Sequence, residues 1–226
     1  LMRAIEARPL LPILQALIER SYGMPSLVGD AGHFLIGDAG YRILYGDERI
    51  LDERGGWPAR LLVRSGDSGL RAALYYPDAL VRHLERHDPR LGIGDENIDA
   101  FAALVEELDH LLTLASRAAD GRGVSLLELE HHANVTKYLL VMHFLGRLTG
   151  RRRVSDFHRM WARHHLFEKY AKGSDEDAGR YLEAARLAGR YVRILDGLPV
   201  ARRRAELLRF HRRPLSEQVR FITERG

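Results

Sequence analysis

The chain has 226 residues, 46% of them apolar and 29% charged, with a formal net charge of +4. That profile excludes intrinsically disordered and collagen-like classes, and the absence of cysteine removes disulfide frameworks, thiol catalysis, thiolate zinc sites and cysteine-ligated iron–sulfur clusters together. No run approaches the ~18 uncharged apolar residues that span a bilayer, and residues 1–9 lack the apolar core and cleavage site of a secretory signal, so a cytoplasmic protein with no membrane partner is expected.

An amphipathic helix is predicted over residues 11–20. Between residues 26 and 76 the short apolar runs Phe34-Leu35-Ile36, Ile43-Leu44-Tyr45, Leu61-Leu62-Val63 and Ala72-Ala73-Leu74-Tyr75-Tyr76 alternate with Gly-Asp, Gly-Gly and Ser-Gly-Asp clusters. That pattern predicts three or four short antiparallel strands joined by tight turns. A helix follows Pro77 and runs to about Arg86. From Asp95 onward the reading is helical, since Phe101, Leu104, Val105, Leu108, Leu111 and Leu112 recur at helical spacing.

Asp120-Gly121-Arg122-Gly123 breaks that helix, and Ser125-Leu126-Leu127-Glu128 matches a capping box that starts the next, which continues to about Leu148. Further helices are predicted over residues 155–171, 176–195, 200–211 and 216–224. The expected fold class is α+β: a small antiparallel sheet, then a helical hairpin, then a mostly helical C-terminal part. Residues 1–150 form the first unit and residues 151–226 a basic helical extension.

Charge divides along the same line. Residues 1–150 carry 16 Lys+Arg against 21 Asp+Glu, and residues 151–226 carry 19 against 10. The densest basic spots are Arg151-Arg152-Arg153 and the stretch from Arg202-Arg203-Arg204 to Arg212-Arg213. Such a half can meet an anionic partner, an acidic protein or a nucleic acid, or be no more than a solvated face. No aromatic-interleaved stacking motif favours nucleic acid.

The hairpin concentrates metal-ligand side chains. Its first helix reads Glu106-Glu107-Leu108-Asp109-His110 and its second Glu128-Leu129-Glu130-His131-His132-Ala133-Asn134. Reversal near residues 121–123 sets the level of His110 beside residues 131–134. Glu106 and His110, four apart, share a face that points away from the apolar stripe, which reads as a solvated edge. At ~100° per residue, Glu130 and Asn134 fall among Leu126, Ala133, Leu140, Val141 and Phe144. A carboxylate on an apolar face needs a cation, a donor or a metal. Lys137 is the plain partner for Glu130, and the capping box accounts for Glu128.

These residues resemble a zincin pattern, in which His-Glu-x-x-His on one helix supplies two metal ligands and a water-activating glutamate. In the gluzincin branch a Glu on the next helix is the third ligand. Glu130-His131-His132-Ala133-Asn134 is similar to that second half, and the run from Glu130 to Met142 looks like the Glu helix of the ImmA/IrrE-type peptidases. The resemblance covers residues 60–145 and implies a zincin-like fold with peptidase-like hydrolysis of a peptide or protein substrate. Carried over, it makes Glu106, His110 and Glu130 the metal ligands, Glu107 the general base and Asn134 an orienting residue. The sequence departs from the family where Glu106 stands in place of the first histidine. That more oxygen-rich set makes manganese or iron as suitable as zinc, and the centre weaker as a hydrolase or inactive.

Two other readings stand beside it. Glu107-x-x-His110 and Glu128-x-x-His131 are each the Glu-x-x-His element of di-iron helix bundles, which need two further glutamates from other helices. Alternatively the chain is a non-enzymatic regulatory or interaction module that uses its basic half. His158, His164 and His165 read as packing or solvent-facing residues, and Tyr170, Tyr181 and Tyr191 as core edges with hydroxyls outward. No phosphate-cradling loop, dinucleotide fingerprint or serine-hydrolase elbow occurs.

Overall fold

The structure is a computed structural model that describes residues 9–46, 57–66, 69–148, 150, 154–169 and 176–225. Nine α-helices occur among these residues. In chain order the elements are α1 (Leu10–Tyr22), a 3-10 turn (Ala31–Phe34), β1 (Leu35–Ile36), α2 (Asp38–Tyr45), β2 (Arg60–Gly66), β3 (Gly69–Tyr75) and α3 (Asp78–Arg86). The hairpin helices α4 (Ile98–Ala119) and α5 (Leu126–Leu148) follow. Then come α6 (Asp156–Arg163), which continues as a π turn over His164–Glu168, α7 (Glu176–Gly197), α8 (Val200–Arg212) and α9 (Leu215–Arg225). The α+β class holds. The triplet Arg151-Arg152-Arg153, Tyr170, Ser174, Asp175 and the first eight residues lie outside the described residues.

The sheet differs from the expectation in two ways. Its strand order is β1-β3-β2, with β2 antiparallel to β3 from Arg60↔Tyr75 to Gly66↔Gly69, but β1 parallel to β3 through Leu35↔Leu74 and Ile36↔Tyr75. The sheet is therefore mixed: the chain after β1 crosses back through α2 before the β2–β3 hairpin, so β1 takes the open edge of β3 in the same sense. Ile43-Leu44-Tyr45 is the last turn of α2 and not a strand. Asp38 favours the positive N-terminal end of that helix, and Tyr41 and Tyr45 stack at i, i+4, with ring centroids 4.9 Å apart.

The hairpin helices follow from their sequence. Phe101, Leu104, Val105, Leu108, Leu111 and Leu112 are all buried, as the 3.6-residue period requires. Ser125 Oγ accepts from the Glu128 amide at 3.1 Å, so half of the capping box forms. The other half does not. The Glu128 carboxylate instead takes the guanidinium of Arg117, Nε to Oε1 2.8 Å, because a cation that is 1% exposed needs a counter-charge more than a helix-end amide needs an acceptor.

One continuous hydrophobic core runs from Leu14 and Ile18 in α1, through Leu74 and Phe101, to Tyr191, Phe210 and Ile222 in the C-terminal helices. The basic half thus closes over the hairpin and contributes to the same core. At the end of α1, Gly23 has φ 64°, and a Cβ there would stand 2.5 Å from Leu208 Cδ2, so α8 approaches α1 where only glycine fits. Among the described residues no helix is long and apolar enough to cross a membrane.

Candidate metal centre

The antiparallel hairpin brings together the three residues expected as ligands. One donor atom from each of Glu106, His110 and Glu130 lies within 4.8 Å of the others. Glu106 and His110 occupy successive turns of α4, and Glu130 faces them from α5. The solvated edge expected for Glu106 and His110 is instead covered: His110 is 8% exposed and Glu130 5%, with Glu106 half-buried. The reason is that α5 packs over this edge of α4, burying its polar side against its own.

The chemistry of the donor set suits a cation. His110 Nε2 is buried without a hydrogen-bond partner, a cost that a ligand on that nitrogen would remove. Burial pushes the Glu130 carboxyl up to about 7, and the neighbouring Glu106 charge adds to this against the opposing pull of His110 and Lys137. Burial alone would lower the pKa of His110, but the Glu107 carboxylate in contact with it, helped by Glu130 and Glu106, lifts it to about 9. Burial and the Glu106 charge thus favour a proton or a metal ion beside Glu130.

Lys137 binds Glu106 and not Glu130, with Nζ to Oε2 at 2.5 Å. Glu107 Oε2 accepts the Leu61 amide of β2 at 2.6 Å and lies 3.5 Å from His110 Nδ1. Asn134 is buried, and among the described residues no hydrogen bond joins it to the three expected ligands. His131 and His132 leave the site altogether.

A second polar cluster, which the sequence did not announce as a unit, lies behind the hairpin. His132 Nδ1 donates to Asp109 Oδ2 at 2.8 Å, and His132 Nε2 meets His211 Nδ1 of α8 at 3.1 Å. His211 Nε2 in turn meets Ser116 Oγ at 3.0 Å. Each ring nitrogen of His132 and His211 thus has a hydrogen-bond partner in this chain. Tyr22 donates to Thr136 Oγ1 (2.8 Å), which donates to Asp109 Oδ1 (2.7 Å), and Arg117 Nη2 caps the carbonyl of His211 at 2.6 Å.

Asp109 was legible in principle. It stands on the apolar stripe with Val105 and Leu112, the same signal that singled out Glu130. Nothing in the sequence links His211 to it, because the contact crosses 79 residues between His132 and His211.

The remaining residues lie elsewhere. His158 Nδ1 meets Ser155 Oγ at 2.7 Å, His165 Nε2 pairs with Asp95 at 3.2 Å, and His164 is solvent-facing. The Tyr191 hydroxyl does not point outward: the residue is 1% exposed and its oxygen is buried with no partner, because Tyr191 stacks on Phe210 with centroids 4.4 Å apart. The two Glu-x-x-His elements do not meet in one site, since Glu128 is held by Arg117 and His131 packs against Phe210 at 5.3 Å. A groove of about 1030 Å³ between α1, β1 and α3 is lined by Leu10, Leu35, Tyr76, Leu80 and Leu84 and by none of the ligand residues. No protein-family model matches the chain, and no curated protein or solved structure matches it either.

Proposed function

We propose that the chain binds a divalent metal ion through Glu106, His110 and Glu130 and is a peptidase-like, metal-dependent hydrolase. The observation that carries this reading is the buried, partnerless His110 Nε2 in a cluster with two carboxylates from facing helices. Zinc, manganese and iron(II) all accept this nitrogen and oxygen donor set. Three protein donors leave room for a water, and an ion so held would polarise that water and a substrate carbonyl. Glu106, freed from Lys137, and Glu130 would supply the anionic donors, and His110 the neutral imidazole. On this reading the substrate is a peptide or protein.

A fluorescence-quenched peptide library, incubated with untagged protein and each ion in turn, tests the hydrolase reading. Cleavage that requires added ion and disappears with chelator and in Glu130→Gln is expected. A protein that binds the ion and cleaves nothing would contradict it.

A second reading, a non-enzymatic interaction module, draws support from the exposed face of α7, where Arg186, Arg190 and Arg193 follow one another at helical spacing. That face suits a polyanion, an acidic protein or a nucleic acid. Affinity for a polyanion in metal-free protein, falling steeply with salt, would favour this reading.

A further inference from the structure

The structure assigns Glu107 a positioning role: its Oε2, fixed by the Leu61 amide of β2, holds the His110 ring through Nδ1 so that Nε2 faces the metal centre. The inference rests on the metal-binding reading above but departs from the role that the zincin resemblance gives this residue, that of the water's proton acceptor.

Three observations carry it. Glu107 and His110 are one turn apart on α4, so their side chains meet on one face, and Oε2 lies 3.5 Å from Nδ1. The same oxygen accepts the Leu61 N–H at 2.6 Å, which fixes the carboxylate against the sheet. Finally, the two nitrogens of His110 are differentiated: Nδ1 faces a carboxylate while Nε2 is buried with no partner. A histidine that donates from one ring nitrogen to a carboxylate presents the other as a lone pair of fixed direction and raised basicity, which is how protein carboxylates orient metal-binding imidazoles. A general base needs a carboxylate free to approach the water. Here the carboxylate is tied to the sheet through Oε2, beside His110 Nδ1.

The test is a titration of untagged, metal-free protein with Co²⁺, following the visible absorption of the bound ion and its affinity together. His83→Ala/His87→Ala serves as the background, because these histidines lie at i, i+4 on the surface with ring centroids 4.7 Å apart and could bind the probe independently. Gln at position 107 keeps an oxygen that can accept from both Leu61 and His110, whereas Ala keeps none. The expected order of affinity is Glu107, then Gln, then Ala. Glu107→Ala should weaken binding about 10–100-fold and alter the cobalt spectrum, with Glu107→Gln restoring part of both.

Equal affinity and an unchanged spectrum in Glu107→Gln and Glu107→Ala would overturn the inference and return Glu107 to the role of base. If Glu107→Ala does not fold, Glu107→Leu, which keeps the bulk and removes both acceptors, takes its place, and wild-type affinity and spectrum in that variant is the same refutation. Failure of the background protein itself to bind Co²⁺ would refute the metal-binding reading, and this inference with it, before any substitution at position 107 is compared.

Discussion

Lys137 and His131 show how individual side chains on one helix meet opposite electrostatic demands. Lys137 supplies positive charge to the half-buried Glu106 carboxylate, and Lys137→Met would remove it. The metal-free protein is expected to lose about 1–3 kcal/mol, between the values for an exposed and a fully buried pair because Glu106 keeps some solvent. Added divalent metal should then raise the melting temperature more in Lys137→Met than in the wild type, because the ion replaces the missing cation. An equal rise in both would show that Lys137 and the ion do not share Glu106.

His131 is fully buried against Tyr191 and Phe210, with only the Ala184 backbone as a weak polar neighbour of its ring. Burial, with help from His132, lowers its pKa to about 3. Burial also lowers His211 to about 2, aided by His132 and Arg117. For each, the folded value lies below the unfolded value of about 6.5. Their contribution to stability is therefore complete above pH 6.5 and is lost as the pH falls below it, because the unfolded chain takes up protons that the folded chain refuses. Between pH 6.5 and 5 each should cost about 1–2 kcal/mol. Denaturant unfolding measured across that interval should show the loss, and His131→Leu should flatten it. An unchanged slope in His131→Leu would mean that its ring is solvated in the folded protein.

At the scale of elements, α4, α5 and α8 are joined by the chain Asp109–His132–His211–Ser116 and by Arg117, which holds Glu128 and the His211 carbonyl at once. Asp109→Ala would strand His132 and Thr136 inside the protein, at an expected cost of about 3–5 kcal/mol. A cycle with His132→Leu should return a coupling of about 1–3 kcal/mol, read from urea midpoints, since the two residues share one bond. Additive effects would contradict the geometry.

This is also the scale at which sequence and structure part. The helices of the hairpin and their reversal were legible, because both depend on local periodicity and a short connection, whereas the set Glu106, His110 and Glu130 came from the zincin resemblance and periodicity alone left Glu106 and His110 on a solvated edge. The parallel placement of β1, the helical state of Ile43-Leu44-Tyr45 and the pairing of Glu128 with Arg117 were not legible. Each is decided by a partner outside its own segment: β3 for the first, the Tyr41–Tyr45–Tyr75 ring contacts for the second, and a buried guanidinium for the third. Composition could place a basic half at the C-terminus, but it could not show Phe210 and His211 reaching the back of the hairpin.

For the whole molecule, the single core from Leu14 to Ile222 means that the basic half closes the fold that holds the candidate centre. Removing residues 199–226 would uncover His132, Tyr191 and the inner face of α1 and take away Phe210. The shortened chain is therefore expected to lose cooperative thermal unfolding, and a sharp calorimetric transition in it would contradict the shared core.

The central claim, that the two long helices exist as a metal centre, is tested most directly by metal stoichiometry. Untagged protein, stripped of metal and dialysed against zinc, manganese or iron(II), should be compared by elemental analysis with a His110→Ala/Glu130→Ala variant of unchanged circular dichroism. About one ion per chain in the wild type and none in the variant is the predicted result. Equal metal in both, or none in either, would contradict it.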